Sequence, residues 1–350
     1  MNHLVIMAGG VGSRFWPLSS TQEPKQFLDV LGVGKTLLQL TIERFEGIVP
    51  KENVWIVTSE QYADIVYEML PEIPKSNVLL EPCRRNTAPC ICYVSWRIKM
   101  VDPKANIIVS PSDHTIADVA GFREVVQETL EFASETDSIV TIGIKPTRPE
   151  TGYGYIKADL SYASSRKRNI FRVDAFKEKP SLEVAEEYVA QDGYFWNSGI
   201  FIWSVSTIVN AFRVYAPDMS AAFEKLQDVY GTEDEQAAIN AVYAELEPIS
   251  VDYAILEKAG EIFVCPASFG WSDLGTWTSL RNELDKDDHG NAAVGRQVKF
   301  FDSHHCVVHT KSFSEVVVEG LDGYVVAEND GKLLICRLSE EQRIKLFHDN

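Results

Sequence analysis

"HLVIMAGGVGSRFWPLSSTQEPKQF", residues 3–27, joins a short apolar run to a loop that is rich in glycine. The run at 4–8 has the length and composition of a buried strand, and three glycines follow it within four residues. The loop carries Arg14 and Lys25, and its first acidic residue is Glu23. Glycine allows the backbone to approach a ligand closely, so backbone N–H groups and two cations together indicate a binding site for phosphates.

The first half of the chain alternates short apolar runs with amphipathic segments of helical length. We predict strands at 4–8, 54–58, 78–80, 107–110 and 139–144, and helices near 37–46, 60–70, 88–100 and 119–133. Strands that are apolar on both faces and alternate with helices predict an α/β fold, in which a Rossmann-like, mainly parallel mixed sheet is flanked by helices. Ligands of such sheets bind beyond the carboxyl ends of the strands, where the glycine loop begins.

The pattern changes near residue 150. Strands with polar ends are predicted in TGYGYIKAD, RVDAFKEKP and YFWNSGIFIWS, and helices near 206–229, 234–246 and 252–259. The charged, turn-rich stretch NELDKDDHGN predicts a boundary between a catalytic domain, residues 1–285, and a small C-terminal β domain, residues 286–350. The short strands of the small domain also suit the turns of a β-helix, but they are too few to decide this.

The charge of the chain restricts its partners. The formal net charge of −18 at pH 7 argues against nucleic acid as a partner, because nucleic-acid binding depends on an excess of Lys and Arg. An acidic chain that binds a polyphosphate needs a local cationic pocket or a divalent cation, so the balance favours a metal. We expect no membrane association, because no apolar segment approaches the ~18 residues of a membrane span.

The N-terminus and the cysteines indicate the cytoplasm. The chain starts with MNHLVIM, which has neither a charged leader nor a cleavage site, so we expect no signal peptide. The six cysteines form no CxxC pair and have no metal-binding spacing, and we expect them to be reduced thiols.

Two common phosphate-binding patterns fit the glycine stretches poorly. The dinucleotide fingerprint G-x-G-x-x-G needs a third glycine where this chain has Phe15, so a nicotinamide-dependent oxidoreductase is not expected. In GVGKT, residues 32–36, a Walker loop would need glycine at the position of Asp29. We therefore interpret Thr36 as the N-cap of the helix that follows it.

The whole loop instead resembles that of the sugar-nucleotide pyrophosphorylases, a group of nucleotidyltransferases. The group has G-G-x-G-x-R-x-x-P-L with P-K about ten residues later, and the version RFWPLS…PKQF is similar to the mannose-1-phosphate guanylyltransferases in particular. Further motifs that resemble the family are EPCRRNTAP at 81–89, SPSDH at 110–114, FKEKP at 176–180 and FGWSDLGTW at 269–277. The resemblance covers essentially the whole chain and implies the nucleotide-diphospho-sugar transferase fold.

The resemblance implies a reaction of GTP with α-D-mannose 1-phosphate that gives GDP-mannose and diphosphate with the help of Mg²⁺. The nucleophile would be a phosphate oxygen of the sugar phosphate, so no Ser-His-Asp or Cys-His pair is needed. Catalysis is assigned to Arg14, Lys25, Asp113 and Asp273, with both aspartates as ligands of Mg²⁺.

The same resemblance implies two sets of binding residues. The nucleotide set consists of Ala8, Gly9, Gly10, Gly12, Ser13, Arg14, Lys25, Glu81, Asn86, Thr87, Ala88, Ser110, Ser112 and Asp113. The sugar-phosphate set consists of Tyr153, Gly154, Glu178, Lys179, Asn197 and Asp252. Guanine would be recognised by Glu81 or by nearby carbonyl groups, because its edge presents N1–H and N2–H₂ donors. Asn86 or Thr87 also suits a helix cap, and so does Asp252.

Other interpretations stay open. A related enzyme could use UTP or dTTP with glucose 1-phosphate, and a non-catalytic sensor of nucleotide sugars is a second alternative. Ser20 and Arg84 stand where many members of the family have Arg and Gly. We expect no phosphomannose isomerase domain after residue 350, and the apolar β domain predicts a homodimer.

Overall fold

The structure is a computed structural model that describes residues 1–10, 12–163 and 169–348. Its strands are β1 (Asn2–Ala8), β2 (Val54–Ser59), β3 (Val78–Glu81), β4 (Asn106–Pro111), β5 (Thr115–Ile116), β6 (Ile139–Ile144), β7 (Tyr155–Ala163), β8 (Phe171–Lys177), β9 (Tyr194–Ser204), β10 (Ile262–Ala267), β11 (Trp271–Ser272), β12 (Ala292–Val294), β13 (Val298–Phe301), β14 (Val307–Thr310), β15 (Val316–Glu319), β16 (Tyr324–Asn329) and β17 (Lys332–Arg337). Its α-helices are α1 (Leu37–Arg44), α2 (Ala63–Met69), α3 (Thr87–Val101), α4 (Val119–Thr136), α5 (Leu182–Val189), α6 (Val205–Tyr215), α7 (Pro217–Glu224), α8 (Glu235–Glu245), α9 (Trp277–Glu283) and α10 (Ile344–His348).

The chain forms two compact units. The first comprises Met1–Gly9, Arg44–Pro111 and Ile116–Trp271, and the second comprises Gly10–Glu43, Ser112–Thr115 and Ser272–Asn350. Within the described residues, no helix combines the length and the apolar character needed to cross a membrane.

A nine-stranded sheet lies in the first unit, in the order β3-β2-β1-β4-β9-β6-β10-β8-β7. Strands β3, β2, β1 and β4 are parallel neighbours, whereas β9 runs antiparallel to both β4 and β6. Strand β10 is parallel to β6 and antiparallel to β8, which pairs with β7 in the antiparallel sense. The sheet is therefore mixed, as the sequence predicts, and the four adjacent parallel strands β3, β2, β1 and β4 come from the N-terminal half, whereas the parallel pair of β6 and β10 joins the two halves.

The parallel strands are buried on both faces. Leu4, Val5 and Ile6 of β1 are fully buried, and each has a partner in both β2 and β4. One apolar cluster in this unit includes side chains of the sheet and of helices α3 and α6. Burial on both faces explains why unbroken apolar runs, and not alternating patterns, mark these strands in the sequence.

The predicted elements of the first half are confirmed with small shifts at their ends. The largest predicted helix of the second half, at 206–229, is wrong in extent, because it forms two helices, α6 and α7. The break lies at Ala216, whose φ and ψ are −140° and 61°. Ala216 precedes Pro217, and a proline disfavours the helical conformation in the residue before it. The sequence analysis also missed α5 and β10.

Short parallel strands of the second unit stack in two rows. Strands β12, β14 and β16 pair in parallel, so that Ala292, Val307 and Val325 are successive partners, and β13 pairs in parallel with β15. Strand β17 pairs with β16 in the antiparallel sense. Parallel rows of this kind are the arrangement of turns in a β-helix, the form that the sequence left open for the small domain.

The glycine loop belongs to the second unit. Phe15, Leu18 and Leu28 are buried in one cluster with Trp277 of α9 and Val307 of β14. The ring centroids of Phe15 and Trp277 are 5.1 Å apart. This grouping differs from the predicted boundary between residues 285 and 286, because residues 10–43 share a core with the C-terminal strands.

Candidate active site

Gly12 of the glycine loop has a left-handed backbone conformation. Gly12 has a φ of 69° and a ψ of 40°. A Cβ atom at this position would lie 2.6 Å from Lys25 Cβ, so glycine is required for the loop to pack on Lys25. Side chains hold the carbonyl groups of the loop, since Gln26 Nε2 donates to Gly10 at 2.9 Å and the Ser19 hydroxyl donates to Gly12.

The Lys25 ammonium is buried and has three oxygen atoms around it. Its Nζ donates to the carbonyl groups of Asp273 and Leu274, at 3.0 and 2.9 Å, and lies 2.9 Å from Asp113 Oδ2. Because an ammonium carries three hydrogens, these contacts use its whole donor capacity. Lys25 therefore connects two acidic loops that are far apart in sequence, and its predicted contact with nucleotide phosphates stays a prediction.

Asp113 is held in its ionised form. Burial alone would raise the pKa of this carboxyl, but the attraction of Lys25, with a further contribution from His114, holds the pKa below its usual range. His114 Nε2 lies 3.9 Å from Asp113 Oδ1. The Asp113 side chain is 31 % exposed, so a cation can still reach the carboxylate.

Asp273 lies in a turn that leads into α9. Its Oδ1 accepts a hydrogen bond from the Gly275 N–H at 2.9 Å, while its carbonyl group accepts from Lys25. Carboxylate oxygens are the protein ligands that Mg²⁺ prefers, and phosphates and waters usually complete its coordination. The donor chemistry of Asp113 and Asp273 therefore fits the expected ion. Across the described part of the chain, no group of three or more His, Cys, Asp or Glu side chains is arranged to hold a metal.

The other nucleotide-set residues of the second unit differ in exposure. Ser13 is exposed and Arg14 is half-buried. Ser112 is buried, and its carbonyl group accepts a hydrogen bond from the Thr41 hydroxyl at 3.2 Å. Arg14 is thus the loop cation with a partly accessible side chain, while Lys25 is buried.

All six residues of the predicted sugar-phosphate set lie together in the first unit. The backbone N–H of Lys179 donates to the Tyr153 carbonyl at 3.2 Å, and Lys179 Nζ lies 2.9 Å from Glu178 Oε1. A Cβ atom at Gly154 would lie 2.6 Å from Glu178 Oε2, so this carboxylate rests directly on the glycine.

Asn197 connects this group to Asp252. Its backbone N–H donates to the Gly154 carbonyl at 2.8 Å, and its Nδ2 donates to Asp252 Oδ1 at 3.1 Å. Its Oδ1 accepts from the Thr141 hydroxyl and from the Gly199 N–H, both at 3.2 Å. The hydrogen bonds fix the orientation of the amide, which combines a donor and an acceptor.

Asp252 has an unusual protonation equilibrium. Burial is the main cause that raises its pKa to about 6, and the nearby Glu178 carboxylate adds to the rise. Asp252 is the first residue of a π-helical segment, Asp252–Leu256, whose N-cap position is Val251. The alternative of Asp252 as a helix cap is therefore wrong.

Glu81 is buried beside Tyr243 in the first unit. The Tyr243 hydroxyl donates to Glu81 Oε1 at 2.9 Å, and a Cβ atom at Gly9 would lie 3.6 Å from Oε2. Burial raises the pKa of Glu81 to about 7, and the Tyr243 hydrogen bond and the charge of Arg84 oppose this rise only in part. Both protonation states of Glu81 are therefore populated near neutral pH.

The segment after Glu81 is fixed by hydrogen bonds to Ile249 and Val251. The Ala88 N–H donates to the Ile249 carbonyl, and the Ile249 N–H donates to the Arg85 carbonyl, both at 3.1 Å. Thr87 Oγ1 accepts from the Val251 N–H at 2.9 Å. These bonds fix the position at which α3 starts. They thereby fix the backbone of Asn86, whose side chain is exposed.

Two predicted helix caps are confirmed. Asn86 Oδ1 accepts a hydrogen bond from the Thr87 N–H at 2.8 Å at the start of α3. Thr36 Oγ1 accepts from the Gln39 N–H at 3.3 Å at the start of α1. The second cap agrees with the rejection of a Walker loop at this position.

Two further residues of the nucleotide set, and the two positions that depart from the family pattern, make hydrogen bonds within the protein. The Ala8 carbonyl accepts from the Thr58 hydroxyl at 2.9 Å, and the Ser110 hydroxyl donates to the carbonyl of the next residue at 3.0 Å. Arg84 donates to the Tyr62 hydroxyl at 3.3 Å. The Ser20 hydroxyl accepts from the Glu23 N–H at 3.0 Å.

The sequence analysis missed Gln26 and Tyr243. Gln26 is buried, and it follows Lys25 in the motif PKQF, so its position in the motif was an available signal. Tyr243 lies on α8, far in sequence from Glu81, and no local pattern links the two residues.

The chain is similar to known proteins over nearly its whole length. The pattern of the nucleotidyl transferase family matches residues 3–289. A mannose-1-phosphate guanylyltransferase of Escherichia coli is 34 % identical over 346 residues, which cover 97 % of this chain and 74 % of that protein. The alginate biosynthesis protein AlgA of Pseudomonas fluorescens is 37 % identical over 349 residues, which cover 97 % of this chain and 70 % of that protein. A solved structure from Thermus thermophilus, described as a mannose-1-phosphate geranyltransferase, is 33 % identical with a TM-score of 0.88 and covers 99 % of this chain and 98 % of that one.

Proposed function

The chain belongs to the nucleotidyl transferase family, and we propose that it converts GTP and α-D-mannose 1-phosphate into GDP-mannose and diphosphate. The choice of substrates is supported by a relative named mannose-1-phosphate guanylyltransferase. The structural observation that carries the proposal is the cluster in which one buried ammonium, Lys25 Nζ, binds the Asp113 carboxylate and the carbonyl groups of residues 273 and 274.

The proposed reaction needs no nucleophile from the protein. A phosphate oxygen of the sugar phosphate attacks the α-phosphorus of GTP, and the bond from that phosphorus to the bridging oxygen breaks. The bonding electrons leave with diphosphate, so atoms and charges balance without an added oxidant or base. The attacking oxygen is already anionic at neutral pH, and catalysis then depends mainly on positioning and on electrostatic stabilisation.

The nucleotide phosphates are assigned to the glycine loop and Arg14. Gly10 is exposed and no side chain lies within 4 Å of its Cβ position, so its backbone is open to a phosphate, and Arg14 adds a partly accessible cation. Lys25 is buried and acts indirectly, because its ammonium fixes the positions of Asp113 and of the turn at Asp273. The two aspartates would hold Mg²⁺, which supplies Lewis acidity and neutralises phosphate charge when it is bound.

The sugar phosphate is assigned to the group formed by Glu178, Lys179, Asn197 and Asp252. The Lys179 side chain is 64 % exposed and is therefore available to a phosphate. Its hydrogen bond to Glu178 is the main cause that raises its pKa, so the ammonium stays charged. The carboxylate of Glu178 and the fixed amide of Asn197 can bind sugar hydroxyl groups.

Guanine recognition is assigned to the neighbourhood of Glu81. An ionised Glu81 can accept hydrogen bonds from N1–H and N2–H₂ of guanine, whereas a protonated one loses part of that capacity. A pKa of about 7 makes this contact sensitive to pH. Carbonyl groups of the same segment are the alternative acceptors, and they do not titrate.

Two further properties belong to the proposal. The six cysteines are all free thiols, which suits a cytoplasmic protein. Val317, Leu333 and Ile335 are each more than half exposed on the strands of the second unit, and we assign them to the contact of a homodimer. Sedimentation of wild type and of Leu333→Asp tests this contact, since a monomeric wild type would contradict it.

Diphosphate release tests the reaction directly. GTP, UTP and dTTP are each combined with mannose 1-phosphate or glucose 1-phosphate, in the presence of Mg²⁺ and again with EDTA. We expect release from GTP with mannose 1-phosphate, and loss of release with EDTA. Faster release from UTP or dTTP with glucose 1-phosphate would assign the chain to other substrates, and binding without release would indicate a sensor.

A further inference from the structure

The Tyr243 hydroxyl is directed at the Glu81 carboxylate inside the first unit. It donates to Oε1 of that carboxylate at 2.9 Å, and the tyrosine side chain is fully buried. Within the described residues, Oε2 receives no hydrogen bond, and it is not one of the enclosed polar atoms that lack a partner. Glu81 itself keeps 8 % of its surface exposed. The hydroxyl therefore fixes one carboxylate oxygen and leaves the other open to a ligand.

The backbone around Tyr243 is tied to the segment that carries this carboxylate. Arg85 Nε donates to the Tyr243 carbonyl at 3.1 Å, and Arg85 Nη2 donates to the Ala244 carbonyl at 3.3 Å. Both carbonyl groups belong to the last turn of α8, where a cation is favoured by the helix dipole. At the start of α8, Gln236 Nε2 donates to the Leu80 carbonyl at 3.2 Å. These bonds at both ends of α8 set where the hydroxyl lies.

The ring and the hydroxyl of Tyr243 have separable roles. The ring belongs to the large apolar cluster of the first unit, and its centroid lies 6.0 Å from that of Phe223 in a T-shaped arrangement. Phenylalanine could make the same ring contacts. Packing therefore explains an aromatic side chain at this position but not a hydroxyl, which needs a partner when it is buried.

The groups that face Glu81 determine its ionisation. Burial raises its pKa to about 7, whereas the Tyr243 hydrogen bond and the charge of Arg84 both favour the ionised form. Cys90 of α3 also lies near, but burial raises the pKa of its thiol, so it adds no charge. Burial likewise raises the pKa of Tyr243, so the hydroxyl keeps its hydrogen and stays a donor. Loss of this hydroxyl would shift Glu81 towards its protonated form.

We propose that Tyr243 is a positioning residue for base recognition, whose hydroxyl favours guanine over adenine by holding Glu81 as an oriented, ionised acceptor. Under the proposed function, on which this role depends, Glu81 recognises guanine. Guanine presents two donors, N1–H and N2–H₂, and an ionised carboxylate can only accept. Adenine instead presents an acceptor, N1, beside a donor, which suits a protonated carboxyl group. The Tyr243 bond uses one lone pair of Oε1, so both oxygens keep the capacity to accept from guanine.

Calorimetric titration of Tyr243→Phe with GTP and with ATP, between pH 6.0 and 8.5, tests this role. We expect the Kd for GTP at pH 7 to be about fivefold higher than in wild type, if the lost hydrogen bond favours the ionised carboxylate about tenfold. The ratio of the two Kd values should fall close to one at pH 8.5, where Glu81 is ionised in both proteins. Titration of GTP itself is common to both proteins and cancels in the ratio. The Kd for ATP should not increase.

Tyr230→Phe is the matched control. Its hydroxyl is also a donor in the first unit, but it binds the Phe223 carbonyl at 2.9 Å and not Glu81. We expect this variant to bind GTP as wild type does at every pH. A thermal melt of both variants accompanies the titrations.

Three outcomes overturn the role of Tyr243. The first is an equal Kd for GTP in Tyr243→Phe and wild type at pH 7. The second is a loss of affinity that does not change with pH, and the third is an equal loss for ATP, since both would indicate a displaced segment and not an altered carboxylate.

Glu81→Gln separates this role from the base assignment. If Glu81→Gln binds GTP as tightly as wild type, guanine is not recognised by Glu81, and the role of Tyr243 fails with that assignment. If Glu81→Gln binds GTP weakly while Tyr243→Phe binds it as wild type does, only the role of Tyr243 is wrong. Failure of the proposed reaction appears separately, as absent diphosphate release from a protein that still binds GTP.

Discussion

Gly12 and Lys25 are packed so closely that a side chain on Gly12 would displace the lysine. A Cβ atom there would lie 2.6 Å from Lys25 Cβ, and the φ of Gly12 is 69°. The same lysine fixes Asp113 and the turn at Asp273 through its ammonium. A single glycine therefore determines the position of a buried charge and, through it, of two acidic loops.

Gly12→Ala is expected to lower kcat for diphosphate release by at least tenfold. The added methyl group moves Lys25, and the positive φ adds strain of about 1–2 kcal/mol to the folded state. Steady-state kinetics and a thermal melt measure the two effects. Gly34→Ala is the matched control, because Gly34 has a φ of 80° with no atom within 4 Å of its added Cβ. Equal losses of activity in both variants would show that strain, and not the contact with Lys25, is responsible.

Asp113→Asn is expected to lower kcat by about 10²–10³, the scale of losing one major electrostatic group in an active site. The amide can still accept from Lys25, so the fold is retained while the negative charge is lost. Activity is measured over a range of Mg²⁺ concentrations together with a thermal melt. Asp118→Asn serves as the control, because Asp118 only caps α4. Turnover equal to wild type in Asp113→Asn would remove Asp113 from the catalytic set.

Lys179→Asn is expected to raise KM for mannose 1-phosphate about tenfold and to leave KM for GTP nearly unchanged. The substitution removes the charge that is assigned to the sugar phosphate. Asparagine is chosen because Lys179 has a φ of 45°, a conformation that asparagine tolerates. Lys177→Asn controls for the loss of an exposed cation close by in the chain. If KM for GTP rose equally, the division of the substrates between the two groups of residues would be wrong.

Asp252→Asn is expected to stabilise the protein at pH 7.5 by about 1–3 kcal/mol. The folded pKa of Asp252 is about 6, above the ordinary value of 3.8, so the ionised carboxylate is disfavoured in the folded state. The stability that this group contributes is complete below pH ~3.8 and is lost as the pH rises to about 6. The difference in Tm between variant and wild type should therefore decrease as the pH falls from 7.5 to 4.5. A difference that does not change with pH would contradict the raised pKa, and Asp192→Asn, at an exposed position, is the control.

Local patterns in the sequence predicted most of the fold, and the resemblance to the family predicted that the residues of the sugar-phosphate set would lie together. The strand at 139–144 is an unbroken apolar run, and the motif containing Glu178 lies at the end of a strand. Contacts between distant segments were not predictable in the same way. Nothing near Glu81 indicates Tyr243, and nothing near Lys25 indicates that its ammonium is buried against carbonyl groups at 273 and 274.

The split of the predicted helix at 206–229 has a different cause. Both α6 and α7 have helical patterns, and the proline at 217 is the local signal for the break between them. The raised pKa values of Asp252 and Glu81 could not be predicted from the sequence either, because their main cause is burial, which is a property of the folded chain.

The shared core of the second unit has a consequence for expressing fragments of the chain. Phe15 and Leu18 of the glycine loop are buried with Val307, Val325 and Ile344, which all lie after residue 285. A fragment that stops at residue 289, where the family match ends, would keep every predicted catalytic residue but would lose the apolar side chains that pack against the glycine loop. We therefore expect the C-terminal strands to be needed for the glycine loop to fold, and not to be removable as a separate domain.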